Sequence, residues 1–386
     1  MKAKVTFDEP IMVAQATPDI RHWGPYQFPN LSRFADGRIH IAYHIEADSA
    51  RSYGLDNGHA IYNAEKKCWE PVLPKDLPDE GFIMPNGDMV HGTRNRSVPQ
   101  EKLNLPEPVA VKDICYEPAV KFYHEEQIPQ ELRGWNFKRR RKGESEWQQE
   151  FMNWKNEYYL HDIMAGVLPV PSLGALFNLK DGGVMMYAYY FFLEENGDVF
   201  MRPGYVRTDD SGKSWQYVGS IPYTPDASKD EFAPIRDGFT EPCTVQLDNG
   251  NLFTLMRTTD KKGVGPMYAS VSCDTGKTWS KPWVVDELGV WPRILQLKNG
   301  VTLMTYGRPG LFMRTCTKGD CSDISDRIMI VSDDSIRGNT CAYSSLLAID
   351  DNTAMMAYSD FNYPDKDGKP CKTILTRLVH TELVED

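Results

Sequence analysis

One pattern recurs along the chain and limits its fold more than any other: a short apolar strand, a tight turn of Asp, Asn and Gly, then a second apolar strand. It reads LSRFADGRIHIAYH at 31–44, GALFNLKDGGVMMYAYY at 174–190, CTVQLDNGNLFTLMR at 243–257, RILQLKNGVTLMTYG at 293–307 and SSLLAIDDNTAMMAYSD at 344–360, with a fainter copy, GFIMPNGDMVHG, at 81–92. Gly or Asn supplies the positive φ of a two-residue turn and the flanks are rich in strand formers, so each copy predicts a β-hairpin. The turns fall at 37, 87, 182, 250, 300 and 352, in steps of 50, 95, 68, 50 and 52 residues. A repeating unit of about 50 residues, interrupted by one long insertion, suits the four-stranded blade of a β-propeller.

A second motif keeps a constant place in that unit. Thr208 to Trp215 reads TDDSGKSW and Ser272 to Trp279 reads SCDTGKTW; a worn copy runs from Tyr62 to Trp69, and the turn-to-Trp distances are 33, 29 and 32 residues. The chemistry is that of a hairpin turn: the Asp carboxylate accepts backbone N–H groups, Gly takes the unusual φ, and Trp packs beneath. A fourth place, Thr315 to Ser322, keeps Gly319 but has neither the Asp nor the Trp. The two intact copies resemble the Asp-boxes, or BNR repeats, of the sialidase (neuraminidase) superfamily. The resemblance implies an all-β chain, a six-bladed β-propeller in a single domain over 1–386. It also implies that Asp210 and Asp274 are structural, on the side away from the active site. The stretch at about 99–162 breaks the rhythm and reads as a partly helical insertion, because aromatic residues at 147, 151, 154 and 158 recur at helical spacing. The basic run Lys138 to Lys142 within it has acidic neighbours at 125, 126, 144 and 146, which favours a solvated surface over a nucleic-acid patch.

Charge narrows the partners. Lys and Arg number 43 against 54 Asp and Glu, a net charge of -11, which disfavours nucleic acid and anionic membranes. The longest apolar run, Val184 to Leu193, is far short of the ~20 residues that cross a bilayer. The N-terminus has no continuous apolar h-region, so a cytoplasmic protein is expected, with secretion left open for a truncated sequence. The eight cysteines are scattered and read as mostly buried free thiols, although Cys316 and Cys321 are close enough to invite a bridge or a metal. No HExxH, P-loop or GxSxG motif is present, and Asp365 to Gly368 reads as a surface turn. No metal or cofactor is expected, and the oligomeric state is not legible.

The sialidase resemblance carries specific sites. Members of that superfamily hold the substrate's carboxylate with three arginines and attack with a tyrosine activated by a glutamate, with an aspartate as acid/base. Thr240-Glu241-Pro242, a hairpin and then Met256-Arg257 are similar to the family's Glu–hairpin–Arg segment. Tyr306-Gly307-Arg308 matches the place of the third arginine, and Arg314 in the next strand reads as structural. Ala342-Tyr343-Ser344-Ser345-Leu346 resembles the nucleophile segment. The first arginine belongs in Tyr26-Gln27-Phe28-Pro29, where Gln27 stands instead: an amide donates hydrogen bonds but brings no charge. Arg21, Arg94 and Arg96 are possible substitutes. The acid/base falls in the loop 44–56, where Glu46, Asp48 and Asp56 compete; Asp48 is preferred, with Asp56 second and His44 nearby.

The implied activity is that of an exo-acting glycoside hydrolase releasing a terminal acidic sugar, sialic acid or a relative. Tyr343 is the nucleophile, Glu241 the base, Asp48 the acid/base, and Arg257, Arg308 and Gln27 contact the substrate. Two alternatives stay open: a lyase or intramolecular trans-sialidase-type enzyme on acidic glycans, and a non-catalytic glycan-binding propeller.

Overall fold

The structure, a computed structural model, describes residues 1–48, 57–92, 96–115, 117–259, 261 and 263–385. The fold is all-β, with the strand plan of a six-bladed β-propeller: among the described residues, six four-stranded antiparallel sets follow one another in chain order. The chain forms two compact units, 1–80 with 247–249 and 288–386, and 81–246 with 250–287.

Three sets belong to the first unit. Gln27–Arg33 pairs with Ile39–His44, then Gly58–Asn63 and Cys68–Pro71. Val290–Gln296, Thr302–Gly307, Leu311–Cys316 and Ile328–Val331 form the second, and Ser344–Ala348, Thr353–Pro364 and Pro370–Val384 the third. The N-terminal strand Lys2–Phe7 completes this last set against Pro370–Val384, with Lys2 opposite Val384 and Phe7 opposite Val379, as expected of a chain that covers its own sheet edge. Leu31, Ile41, Trp69, Ala357 and Ile374 form one buried cluster of this unit, and Leu303, Met313, Met356 and Leu375 another.

The second unit holds the other three. The hairpin at 81–92 is present as Phe82–Ile83 with Met89–Gly92, and Trp135–Arg140 and Gln148–Met152 complete its sheet. Ala175–Asn178, Val184–Leu193, Val199–Thr208 and Gln216–Ser220 form the next, which Tyr159–Ile163, Glu117–His124 and Ala110–Ile114 extend to seven strands. Phe239–Gln246, Leu252–Thr258, Met267–Ser272 and Trp283–Asp286 form the last.

The stretch at 99–162 therefore divides its strands between two sheets. Among the described residues its helical content is three short 3-10 turns, at Gln100–Lys102, Glu125–Gln127 and Gln130–Leu132. The helix expected through 147–158 is absent: Gln148–Met152 is a strand paired with Trp135–Arg140. Strand pairing overrides the helical spacing because Met152 and Trp154 are buried while Phe151 and Tyr158 are exposed, which is no single helical face. The basic run lies in the same hairpin, and Arg139 is buried there, on Asp88 and Glu150 at 3.2 and 2.8 Å.

The turn chemistry is as the sequence dictates. Gly37, Gly87, Gly182, Gly250 and Gly300 have φ between 88° and 91°, open to glycine at little steric cost. In both TDDSGKSW and SCDTGKTW the hydroxyl of the first residue accepts the glycine N–H at 2.8 Å and donates to the Asp at 2.8 Å. Asp210 also accepts the N–H groups of Lys213 and Ser214 and the Ser214 hydroxyl, and Asp274 the N–H and hydroxyl of Thr278. At the fourth place Asp323 takes over, accepting Thr317 and Lys318 N–H groups, and Cys316 and Cys321 are joined as a disulfide.

Candidate active site

Three hairpins begin with the same local device. Gln27-Phe28-Pro29, Thr240-Glu241-Pro242 and Val290-Trp291-Pro292 each place three residues opposite two of the partner strand, a β-bulge. The middle residue takes positive φ: 55° at Phe28, 46° at Glu241 and 52° at Trp291. Non-glycine residues seldom adopt this backbone, and bulges serve to re-aim side chains at functional sites. Glu241 is thus the counterpart of Phe28 and Trp291. Trp291 was missed in the sequence, although the residue-then-proline signature before a hairpin marks all three.

In the first unit these residues surround Tyr343. Its ring stacks on Trp291 with centroids 4.3 Å apart and meets Phe28 edge-on at 4.8 Å. The Arg308 guanidinium lies 5.9 Å from the Tyr343 ring centroid and 5.3 Å from that of Trp23, and Arg308 also donates to the Cys341 carbonyl at 3.0 Å. The loop before Ser344–Ala348 is pinned: Thr340 accepts the Ala342 N–H at 3.1 Å, Ser359 the Cys341 N–H at 3.3 Å, and Thr305 and Ser344 share a hydrogen bond of 2.8 Å.

Asp48 is exposed and is tied to the same group, since Trp23 donates its indole N–H to the Asp48 carboxylate at 3.0 Å. His44 packs on Phe28 at 4.8 Å; burial lowers its proton affinity and the nearby Asp48 opposes that. The structure therefore brings Tyr343, Arg308 and Asp48 together through Trp23, Phe28 and Trp291. Asp56 and Arg94 lie outside the described residues. Arg21 is committed to the carbonyls of Phe361 and Pro370 and to Asn362, which marks it as a staple. Arg314 binds Tyr306 and the Ser325 carbonyl, the structural role expected of it.

Gln27 is completely buried. Its amide is oriented so that the oxygen accepts from Lys372 Nζ at 2.8 Å and Gly24 N at 3.3 Å. Lys372 is itself buried, at 1% exposure, and donates also to the His22 carbonyl at 2.7 Å. Burial pulls its proton affinity down to about 8; the Cys341 thiol works against that and Arg21 adds to it. Nothing local in the strand sequence PCKTILTRLVH marks Lys372 as enclosed.

In the second unit Glu241 and Arg257 form an ion pair of 2.7 Å across adjacent strands, each nearly buried. The bulge produces the pairing: Thr240 is opposite Arg257 and Glu241 is the extra residue.

No protein-family model matches the chain, and no curated protein matches it. Among solved structures, a protein of unknown function from Dyadobacter fermentans DSM 18053 is similar over 98% of this chain and 99% of its own, at 16% identity and a TM-score of 0.64, which shows the fold alone. The α-L-arabinofuranosidase Arb93A from Fusarium graminearum is similar at 12% identity and a TM-score of 0.49, over 97% of this chain and 98% of its own. A Trypanosoma rangeli sialidase mutant displaying trans-sialidase activity is similar at 13% identity and a TM-score of 0.48, over 97% of this chain and 58% of its own. The last two are glycosidases by name, and this chain resembles them only distantly.

Proposed function

We propose that the chain is an exo-acting glycoside hydrolase that releases a terminal acidic sugar. Tyr343 is the nucleophile, Glu241 its base and Asp48 the acid/base, while Arg257, Arg308 and Gln27 serve the acidic group of the sugar. The observation that carries this reading is the setting of Tyr343, clamped between Trp291 and Phe28 with the Arg308 guanidinium against its ring.

A phenol ordinarily titrates near ~10 and attacks poorly at neutral pH. A cation beside it stabilises the phenolate as the proton leaves. A carboxylate nucleophile would be repelled by an acidic sugar, whereas a neutral phenol is not, and tyrosine is a known departure from two-carboxylate glycoside hydrolysis. Glu241 supplies an acceptor whose orientation Arg257 fixes, and the indole of Trp23 fixes the Asp48 carboxyl. The Asp-box reading of the TDDSGKSW and SCDTGKTW turns, with each Asp holding its own turn, is consistent with this assignment.

A hydrolysis screen on aryl glycosides of nonulosonic, ulosonic and uronic acids, with neutral hexosides alongside, tests the reading. Turnover of an acidic glycoside, lost far more than neutral binding in Arg308→Ala, is expected. Equal turnover of a neutral hexoside would contradict it.

A further inference from the structure

Lys372 is an anomaly that the site described so far does not use. It sits in Pro370–Val384, wholly enclosed, and among the described residues its ammonium has no carboxylate partner. Its acceptors are neutral, the His22 carbonyl and the Gln27 amide oxygen. A buried charge is normally paired, and an unpaired one is costly to keep.

Its surroundings lead to Arg308 by two routes. Lys372 Nζ lies 4.7 Å from the Phe361 ring centroid, Phe361 meets Trp23 edge-on at 6.3 Å, and Trp23 carries the Arg308 guanidinium. Cys341 bears on both cations: its carbonyl accepts from Arg308, and the charge its thiol can carry favours the protonated Lys372. Cys341 is thus a neighbour of one enclosed cation and acts electrostatically on the other. Gln27, by accepting from Lys372, has its amide turned in one sense, with its oxygen engaged inward.

We propose that Lys372 is a charge-supplying positioning residue for an anionic ligand group held by Arg308, with Gln27 and the His22 carbonyl fixing its ammonium in place. The inference rests on the proposed acidic substrate and deepens it: specificity for an anion comes in part from an amine that can lose its proton, unlike an arginine. The titratable and charged groups facing Lys372 are the Cys341 thiol and the Arg21 guanidinium. An opposite charge nearby moves a pKa by about one to three units, and by reciprocity losing the proton weakens the anion about tenfold per unit.

Calorimetric binding of N-acetylneuraminic acid and glucuronic acid between pH 6.5 and 9.5, with methyl glucoside as the neutral probe, tests this. The wild type should bind an acidic probe about tenfold or more weakly at the top of that range than at the bottom, with a midpoint near 8 or above. Lys372→Met should bind weakly at all pH, Lys372→Arg should hold its affinity across the range, and Cys341→Ala should keep a pH-dependent profile with its midpoint lowered, because the thiol that holds up the proton affinity of Lys372 is gone. Should the methionine variant fail to fold, the wild-type, arginine and Cys341→Ala profiles decide. An acidic probe bound through Arg308 with a flat wild-type profile, or with affinity unchanged in folded Lys372→Met, overturns the role of Lys372 alone. Failure of the wild type to prefer an acidic over the neutral probe at any pH overturns the acidic-substrate reading and this inference together.

Discussion

Asp210 and Asp274 each hold a turn by several hydrogen bonds, and their carboxyls titrate far below the usual range. At Asp210 burial opposes this, but the Ser214 hydroxyl and N–H and the Thr208 hydroxyl outweigh it, holding the pKa at about 2. At Asp274 the Thr278 hydroxyl and N–H lead, also to about 2. A folded pKa below the unfolded value gives stability that is present above pH 3.8 and is lost as pH falls towards 2. Asp274→Asn should cost about 1 kcal/mol at neutral pH, and urea titrations between pH 2 and 5 should show less acid destabilisation than in the wild type, with any activity of the folded protein unchanged. Lys372 runs the other way along the pH axis. Burial lowers it from 10.5 to about 8, so between those values the unfolded chain binds more protons and stability should rise with pH. Folded Lys372→Met should lack that rise and be the more stable protein at pH 7, as chemical denaturation at pH 7, 8, 9 and 10 would record. The turn residues were legible because their chemistry is local, hydroxyl, Asp, Gly and Trp within eight positions. Lys372, Trp23 and Trp291 were not, because their partners lie far along the chain.

Elements were legible where side-chain period and turn residues agreed and illegible where the fold overrode the period. All six hairpins are present, the faint one at 81–92 included. The segment at 147–158 failed as a helix because its strand completes a sheet begun some sixty positions earlier, a pairing that no local window contains. The same hairpin explains the basic run. Arg139 points inward, on Asp88, Glu150 and the carbonyls of Ser211 and Gly212, while its neighbour Lys138 is exposed. Arg139→Ala leaves the buried Asp88 carboxylate without its cation and should cost about 3–5 kcal/mol. Lys138→Ala should stay within about 0.5 kcal/mol; thermal unfolding of the two variants side by side checks the contrast. The three bulges were half legible: the prolines were visible, but the two-against-three register that aims Phe28, Glu241 and Trp291 is a property of paired strands.

At the scale of the whole molecule, the count of hairpins carried the fold class, since a supersecondary unit repeated six times admits few architectures. The pairing of Lys2–Phe7 with the end of Pro370–Val384 was foreseeable from the same logic. Removing residues 1–7 should bare that edge and drive self-association, visible as a concentration-dependent shift in size-exclusion chromatography. The candidate site drew on segments spread from Gln27 to Tyr343, and within the first unit Tyr343, Arg308 and Asp48 share the neighbours Trp23, Phe28 and Trp291. The claim at its centre is covalent attack by Tyr343. Incubation of the folded protein with a mechanism-based 2,3-difluoro sugar acid, chosen to match the glycoside it turns over, followed by peptide mass spectrometry, measures this directly. The account predicts a glycosyl adduct on the Tyr343 peptide of the wild type, no adduct in Tyr343→Phe, and turnover reduced by about 10³ or more in that variant. An adduct on another residue, or near-normal turnover by Tyr343→Phe, would contradict it.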